Sequence, residues 1–215
     1  MLSSRSRSPW LLLTALPLLP FCAFAQPTGG VKIGGNAAIM LNPKPLAFDT
    51  EAKAGFVGGV FLSLPLGERV AIQPEVQYSQ LGTRFTHAVA TPANRDRLFL
   101  DEVTVPLLLK VFLVKRRVHL HAGPQFGFVL RADEARTTGT TTTRTDASAT
   151  YRTTDYGIVA GIGANLPLRL TLDLRYVAGL ADMVADPRLR AQRALTNEGK
   201  LNQHALQLLL GLRLF

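Results

Sequence analysis

Apolar and polar residues alternate along most of the chain, in stretches of about ten residues. The clearest stretch runs from Val118 to Leu130, in which Val118, Leu120 and every second residue onward are apolar. The residues between them, up to Gly127, are polar or glycine. Successive side chains of a β-strand point to opposite faces of the sheet, so this pattern predicts a strand with one apolar and one polar face.

The same alternation predicts eight strands, joined by connections of two kinds. The predicted strands are 31–41, 53–65, 69–80, 98–114, 118–130, 153–166, 168–180 and 201–215. Tight turns at 67–68, 115–117 and 166–167 alternate with long links at 42–52, 81–97, 131–152 and 181–200. Short turns at one end and long loops at the other are typical of outer-membrane barrels. The predicted fold is therefore all-β, an eight-stranded antiparallel up-and-down transmembrane β-barrel with both termini in the periplasm.

Residues 1–25 have the composition of a secretory signal peptide. Arg5 and Arg7 precede an apolar stretch, and Ala23-Phe24-Ala25 fits a cleavage site, which predicts a barrel domain over 26–215. The only cysteine, Cys22, lies in the signal segment, so disulfides and thiolate chemistry are excluded from 26–215. This domain contains no apolar run long enough for a transmembrane helix, and therefore only a closed barrel would let it span a membrane.

Aromatic residues fall where the predicted strands would leave the membrane. Tyr78, Phe128, Tyr156 and Tyr176 all lie on apolar faces at the long-loop ends, which predicts an aromatic girdle. The final residue, Phe215, has the parity of the polar face of its strand. Either a bulge shifts the register there, or Phe215 turns outward beyond the last pairing.

The formal net charge of +9 falls to +7 without Arg5 and Arg7. For an exported barrel, this basic balance either belongs to ordinary solvated loops or indicates outer-membrane lipid and lipopolysaccharide as partners, and it predicts no nucleic acid. Arg188, Arg190 and Arg193 form a possible anion-binding loop, because arginine suits phosphate recognition. The threonine run at 137–143 either extends a hairpin or is disordered, and we expect disorder at its tip.

Seven segments along the chain can be compared with a known family. They are GVKIGGN (30–36), PEVQYSQLG (74–82), VPLLLK (105–110), HAGPQFGFVL (121–130), DYGIVAGIGANL (155–166), LRYVAGLADM (174–183) and LGLRLF (210–215). In this order they resemble the PorT-type outer-membrane β-barrel family of Bacteroidota. The resemblance implies an eight-stranded barrel in a Gram-negative outer membrane. It implies little about activity, because a shared fold does not fix a function. A terminal aromatic residue is also expected to serve as a signal to the barrel-assembly machinery.

The interior of an eight-stranded barrel is just wide enough for its own side chains. Unpaired buried charges are costly, so we predict a structural ionic network that closes the lumen. Its predicted members are Glu75, Glu102, Lys110, Asp173 and Arg175. His119 and His121 share the inward face, but two ligands do not make a metal site, so neither a metal nor a cofactor is predicted.

The sequence as a whole predicts a monomeric structural, adhesive or envelope-interaction protein that acts through its extracellular loops and is not an enzyme. A second hypothesis is a lipid-modifying outer-membrane enzyme in which Ser79, His87 and Glu102 meet at the outer rim. A third is a soluble, lipocalin-like binder of apolar ligands, which would carry its apolar face inside the barrel.

Overall fold

A computed structural model describes residues 26–41, 48–87, 95–114, 116–138, 141–148, 152–182 and 202–215. The predicted signal segment 1–25 lies outside the described residues, as do Arg188, Arg190 and Arg193 of the predicted anion-binding loop and the tip of the threonine run at 139–140.

The described chain is made of nine strands. They are β1 (Thr28–Leu41), β2 (Phe48–Pro65), β3 (Val70–His87), β4 (Arg95–Val114), β5 (Val118–Thr138), β6 (Thr141–Asp146), β7 (Thr154–Asn165), β8 (Leu170–Gly179) and β9 (Asn202–Arg213). Among the described residues, no helix is long and apolar enough to cross a membrane.

Eight of these strands close into a barrel. Each pairs antiparallel with its neighbour along the chain, except that β5 passes over β6 to pair with β7, and β1 closes the ring by pairing with β9. The short strand β6 pairs with the outer part of β5, where Asp133 lies opposite Asp146. The predicted eight-stranded antiparallel barrel is therefore confirmed, with β6 as an additional strand at one end.

The two faces of the barrel wall differ in polarity as the alternation predicts. Apolar side chains such as Ile33, Val60 and Phe126 are exposed on the outside, each with about half of its surface accessible. The side chains buried inside are polar or charged over much of the length of the barrel. A lipocalin would show the opposite arrangement, so the hypothesis of a soluble barrel with an apolar interior is wrong.

Four strands extend farther than predicted at the end that carries the long connections. β2 begins at Phe48, β3 continues to His87, β4 begins at Arg95 and β5 continues to Thr138. The predicted long links at 42–52, 81–97 and 131–152 are thus partly strand. Threonine is β-branched and favours strands, which explains why 137–143 contributes to a hairpin, with the Oγ1 atoms of Thr137 and Thr142 3.1 Å apart.

The C-terminal strand keeps one register over its whole length. β9 ends at Arg213, and Leu214 donates a backbone hydrogen bond to the Gly29 carbonyl. The Phe215 ring then lies over Gly29 and is two-thirds exposed, so Phe215 extends beyond the last pairing and no bulge is needed. A β-carbon at residue 29 would collide with this ring.

The turn between β7 and β8 holds two non-glycine residues in the left-handed region. Leu168 has φ of 58° and Arg169 has φ of 63°, and Leu170 donates a hydrogen bond to the Pro167 carbonyl. Positive φ at both central residues is the geometry of a type I′ turn, which normally favours asparagine and glycine. Arg169 is consequently exposed in the turn instead of facing the lumen, and it donates to the Leu214 carbonyl at 2.9 Å.

We predict that Leu168→Asn stabilises the barrel by about 1 kcal/mol, because asparagine tolerates the left-handed conformation better than leucine does. Leu168 is 85% exposed, so little packing is lost. Guanidinium-induced unfolding in detergent micelles measures the effect. Leu166→Asn is the matched control, since Leu166 lies beside the same turn without a positive φ, and an equal gain in both variants would contradict the explanation.

Candidate functional site

The centre of the lumen is crossed by an ion pair between opposite walls. In the closed ring, β3 and β8 are four strands apart, which is the largest separation that eight strands allow. Glu75 projects inward from β3 and Arg175 from β8. The Arg175 guanidinium donates two hydrogen bonds to the Glu75 carboxylate, with Nη1–Oε2 at 2.7 Å and Nη2–Oε1 at 2.8 Å. This bidentate geometry is the strong form of the arginine–carboxylate interaction.

A second acid and a second base complete the centre of the network. The Lys32 ammonium lies 2.8 Å from Glu75 Oε1 and 2.6 Å from Asp173 Oδ2. Arg175 also reaches Asp173 Oδ2 at 3.4 Å. Lys32 was missing from the five predicted network residues, although its position between apolar Val31 and Ile33 marks it as inward-facing. All four charged side chains are almost completely buried.

Neutral side chains extend the network along β3 toward β4. Gln73 and Gln77 both donate through Nε2 to the Glu75 carboxylate. Lys110 of β4 donates to Gln73 Oε1 at 3.0 Å, so it joins the network through an amide and not through a carboxylate. Glu75 therefore accepts hydrogen bonds from Lys32, Arg175 and both glutamines, which compensates for its removal from water.

Glu102 lies apart from this network, contrary to the prediction. Its carboxylate packs over Gly127, where a β-carbon would collide with Oε1. Oε1 has no hydrogen-bond partner among the described residues, and the neighbouring ionisable group is Asp155, whose backbone lies opposite Gly127. Alternation places Glu102 correctly on the inward face, but it does not give its position along the barrel axis.

His119 and His121 both lie inside the barrel near Asp173. His119 Nε2 is 3.2 Å from Asp173 Oδ1, and the two imidazole ring centres are 5.5 Å apart. Both nitrogens of His121 and Nδ1 of His119 lack hydrogen-bond partners among the described residues. His119 is completely buried, and His121 is 3% exposed.

The two ends of the lumen differ in chemical character. Toward the long-connection end, part of the interior is apolar. The buried apolar cluster extends from Leu81, Leu100 and Ala132 to Leu108, which lies opposite Gln73, and also includes Ala38, Val159, Val177 and Ala205. Toward the short-turn end, the lumen widens into a cavity of about 660 Å³. Gln73, Lys110, Thr171 and Arg213 are among the residues that line it.

The residues of the enzyme hypothesis do not assemble into a triad. Ser79 faces the lumen on β3, where its hydroxyl accepts a hydrogen bond from Asn36 at 2.9 Å. Glu102 lies opposite Ser79 in the β3–β4 ladder. His87, however, is eight positions farther along the same strand, and a strand rises about 3.3 Å per residue, which separates its backbone from Ser79 by roughly 26 Å.

We predict that removing either member of the cross-lumen pair, by Glu75→Gln or Arg175→Met, destabilises the barrel by about 3–5 kcal/mol, because each variant strands a buried charge. The double variant loses less than the sum of the two, which a double-mutant cycle of equilibrium unfolding measures. Asp133→Asn breaks a pair with Arg131, whose side chain is 64% exposed, and serves as control with a loss of about 1 kcal/mol or less. Additive losses from Glu75→Gln and Arg175→Met would contradict direct coupling.

Two solved structures are similar to the chain over most of its length. The crystal structure of Neisserial surface protein A is 12% identical, with a TM-score of 0.49, and the match covers 87% of this chain and 99% of that one. Ail, the attachment invasion locus protein of Yersinia pestis, is 10% identical, with a TM-score of 0.48 and coverage of 88% and 99%. No curated protein sequence matches the chain.

The family to which the chain belongs follows from its sequence match. Residues 24–185 match the family described as outer membrane protein beta-barrel domain. The match covers most of the chain, and it includes both sides of the lumen network from Lys32 to Arg175. With its closed ring of eight antiparallel strands, apolar outside and charged within, the chain belongs to the outer membrane protein beta-barrel domain family.

Proposed function

We propose that this outer-membrane protein is a monomeric, non-conducting barrel with a structural, adhesive or envelope-interaction role, exerted through the surface at its long-connection end. The observation that carries the proposal is the pairing of Glu75 with Arg175 across the full width of the lumen. The buried charges of Glu75 and Arg175 hold each other in place. The apolar cluster occupies the interior toward the long-connection end. A barrel filled in this way acts as a rigid scaffold that displays its outer surface, and it does not act as a channel.

The surface itself supports an interaction role, because over the described residues the barrel wall is much taller on one side. A transmembrane strand needs about 9–11 residues, whereas β4 has 20 and β5 has 21. β8 has only 10. We call the part of the wall formed by 48–52, 82–87, 95–101, 131–138 and 141–146 the projecting sheet. If the short turns lie in the periplasm, the projecting sheet stands outside the cell.

The projecting sheet ends in a polar edge strand. All six residues of β6, Thr141–Asp146, are exposed, and within the described part of the chain β6 pairs only with β5. Its outer edge therefore presents backbone donors and acceptors to the surroundings, which is how sheets add strands from partners. Arg144 is fixed over the Phe99 ring at 4.8 Å, and Ser148 donates its backbone N–H to the Asp146 carboxylate. These contacts favour a preformed surface.

A non-enzymatic role fits the placement of the polar groups better than lipid hydrolysis does. Ser79 is buried inside the barrel and hydrogen-bonded to Asn36, so its hydroxyl does not face the outer rim. The distance along β3 to His87 leaves the serine without the predicted base.

For partners, we propose outer-membrane lipid around the exposed apolar band and lipopolysaccharide at basic groups of the outer surface, including the loop of Arg188, Arg190 and Arg193. The barrel-assembly machinery would recognise the final strand, where Phe215 is exposed. We further propose cleavage of the exported precursor after Ala25 and a PorT-type origin, on the motifs that the sequence shares with that family.

We expect no stepwise ion conductance when the purified protein is reconstituted into planar lipid bilayers, because the network and the apolar cluster occupy the lumen. A large porin reconstituted in the same way is the positive control. Reproducible single-channel steps from the wild-type barrel would contradict a filled lumen and would leave the interaction role of the projecting sheet to be tested separately.

We expect the shortened variant in which Asn-Gly replaces residues 134–145 to keep the barrel but lose its interaction role. Asp133 and Asp146 are directly opposite, so a two-residue type I′ turn can join them. Attachment of expressing bacteria to polystyrene and to epithelial monolayers is measured against wild type, with surface exposure and heat-dependent gel mobility matched. Thr142→Ser, which keeps a hydroxyl at that position, is the control and is expected to attach as the wild type does. Attachment equal to wild type in the shortened variant would refute a role for the hairpin.

A further inference from the structure

We propose that His119, His121 and Asp173 form a binding site for a single divalent transition-metal ion inside the barrel. One ligand atom from each residue lies within 4.8 Å of the other two, and all three side chains are buried. Two imidazoles and a carboxylate are a donor set that suits zinc and copper. The sequence predicts no metal because it identifies only the two histidines, whereas the strand order supplies the third ligand.

Strand register explains why these three side chains meet. His119 on β5, Gly163 on β7 and Asp173 on β8 lie in one cross-strand row. His121 lies opposite Gly161 in the next inward row. A β-carbon at residue 163 would collide with both His119 Nε2 and Asp173 Oδ1, and one at residue 161 would contact His121 Nε2. The two glycines thus keep open the space on which the donor atoms converge.

One of the three separations between ligand atoms agrees with a tetrahedral ion. Ligand atoms bound at 2.0–2.2 Å to a tetrahedral zinc lie roughly 3.3 Å apart, and the Nε2–Oδ1 distance between His119 and Asp173 is 3.2 Å. A hydrogen bond alone would also explain that single distance. It does not explain His121, whose two ring nitrogens are buried without any hydrogen-bond partner among the described residues.

The surrounding charges place a limit on affinity. Lys32 and Arg175 contact Asp173 Oδ2, while Oδ1 faces His119. The carboxylate can therefore pair with the two cations through Oδ2 and bind a metal ion through Oδ1. Glu75 offsets part of this positive charge. Because an added divalent ion increases the positive charge of the lumen, we expect weaker binding than at a site of three histidines in neutral surroundings.

A cavity at the short-turn end approaches the site. The residues that line this cavity of about 660 Å³ include Lys110 and Thr171. Lys110 is the cross-strand partner of His121, and Thr171 is the inward residue that precedes Asp173 on β8. The cavity is therefore lined by direct neighbours of two proposed ligands, His121 and Asp173.

The test uses the full chain, exported to the outer membrane of an expressing bacterium, extracted without an affinity tag and treated with a chelator. Zinc and copper ions are titrated by calorimetry, and cobalt is followed by its visible absorption. We expect one ion per chain, and a loss in affinity on the order of 100-fold in His119→Gln and His121→Gln. The chain has four histidines, so His87→Gln/His204→Gln is the matched control, expected to bind as wild type does.

Two results would overturn the proposal. One is the absence of stoichiometric binding of all three ions to the wild-type barrel. The other is binding that survives His119→Gln and His121→Gln but is lost in His87→Gln/His204→Gln. If His119→Gln and His121→Gln do not fold, electron paramagnetic resonance of copper bound to the wild-type protein tests the proposal instead. The proposal requires two imidazole nitrogens on the ion, and fewer would refute it.

Discussion

The ion pair between Glu75 and Arg175 is the interaction on which the interior of this barrel depends. Because lipid surrounds the outside, the polar face of every strand must face the lumen. The lumen of an eight-stranded barrel is too narrow for water to hydrate many charges separately. The charges must therefore neutralise one another across it. By joining β3 to β8, the pair also fixes opposite walls at one distance, and Lys32 adds β1 to the same cluster.

Much of this fold could be predicted from the sequence, because alternation reports directly which residues face lipid. It assigned Glu75, Asp173 and Arg175 to the interior, along with both histidines. It did not show where the strands end, since Thr137–Thr142 and similar polar stretches are compatible with either loop or strand outside the membrane. The start of the strand predicted at 168–180 was wrong for a related reason. Leu168 and Arg169 lie in a turn with a left-handed backbone, without the glycine or asparagine that usually marks one.

The site was harder to predict than the fold because it depends on register. Parity places Glu102 inside, but only the strand pairing shows that it lies against Gly127, away from the basic side chains. In the same way, His119 and Asp173 are 54 residues apart in sequence and meet because Gly163 lies between them in one row. The glycine-rich stretch 157–163 therefore determines what the interior can hold as much as the charged residues do.

The unequal height of the wall has a consequence for how the protein sits among its neighbours. Over the described residues, β2 through β5 rise well above the level at which β7, β8 and β9 end, so this part of the molecule has a tall side and a low side around its own axis. A plain cylinder looks the same to every neighbour in the plane of the membrane, but this one does not. Rotation about the membrane normal turns the threonine edge toward or away from an adjacent molecule. Its orientation in the plane, and not only its depth, then governs which contacts it can make.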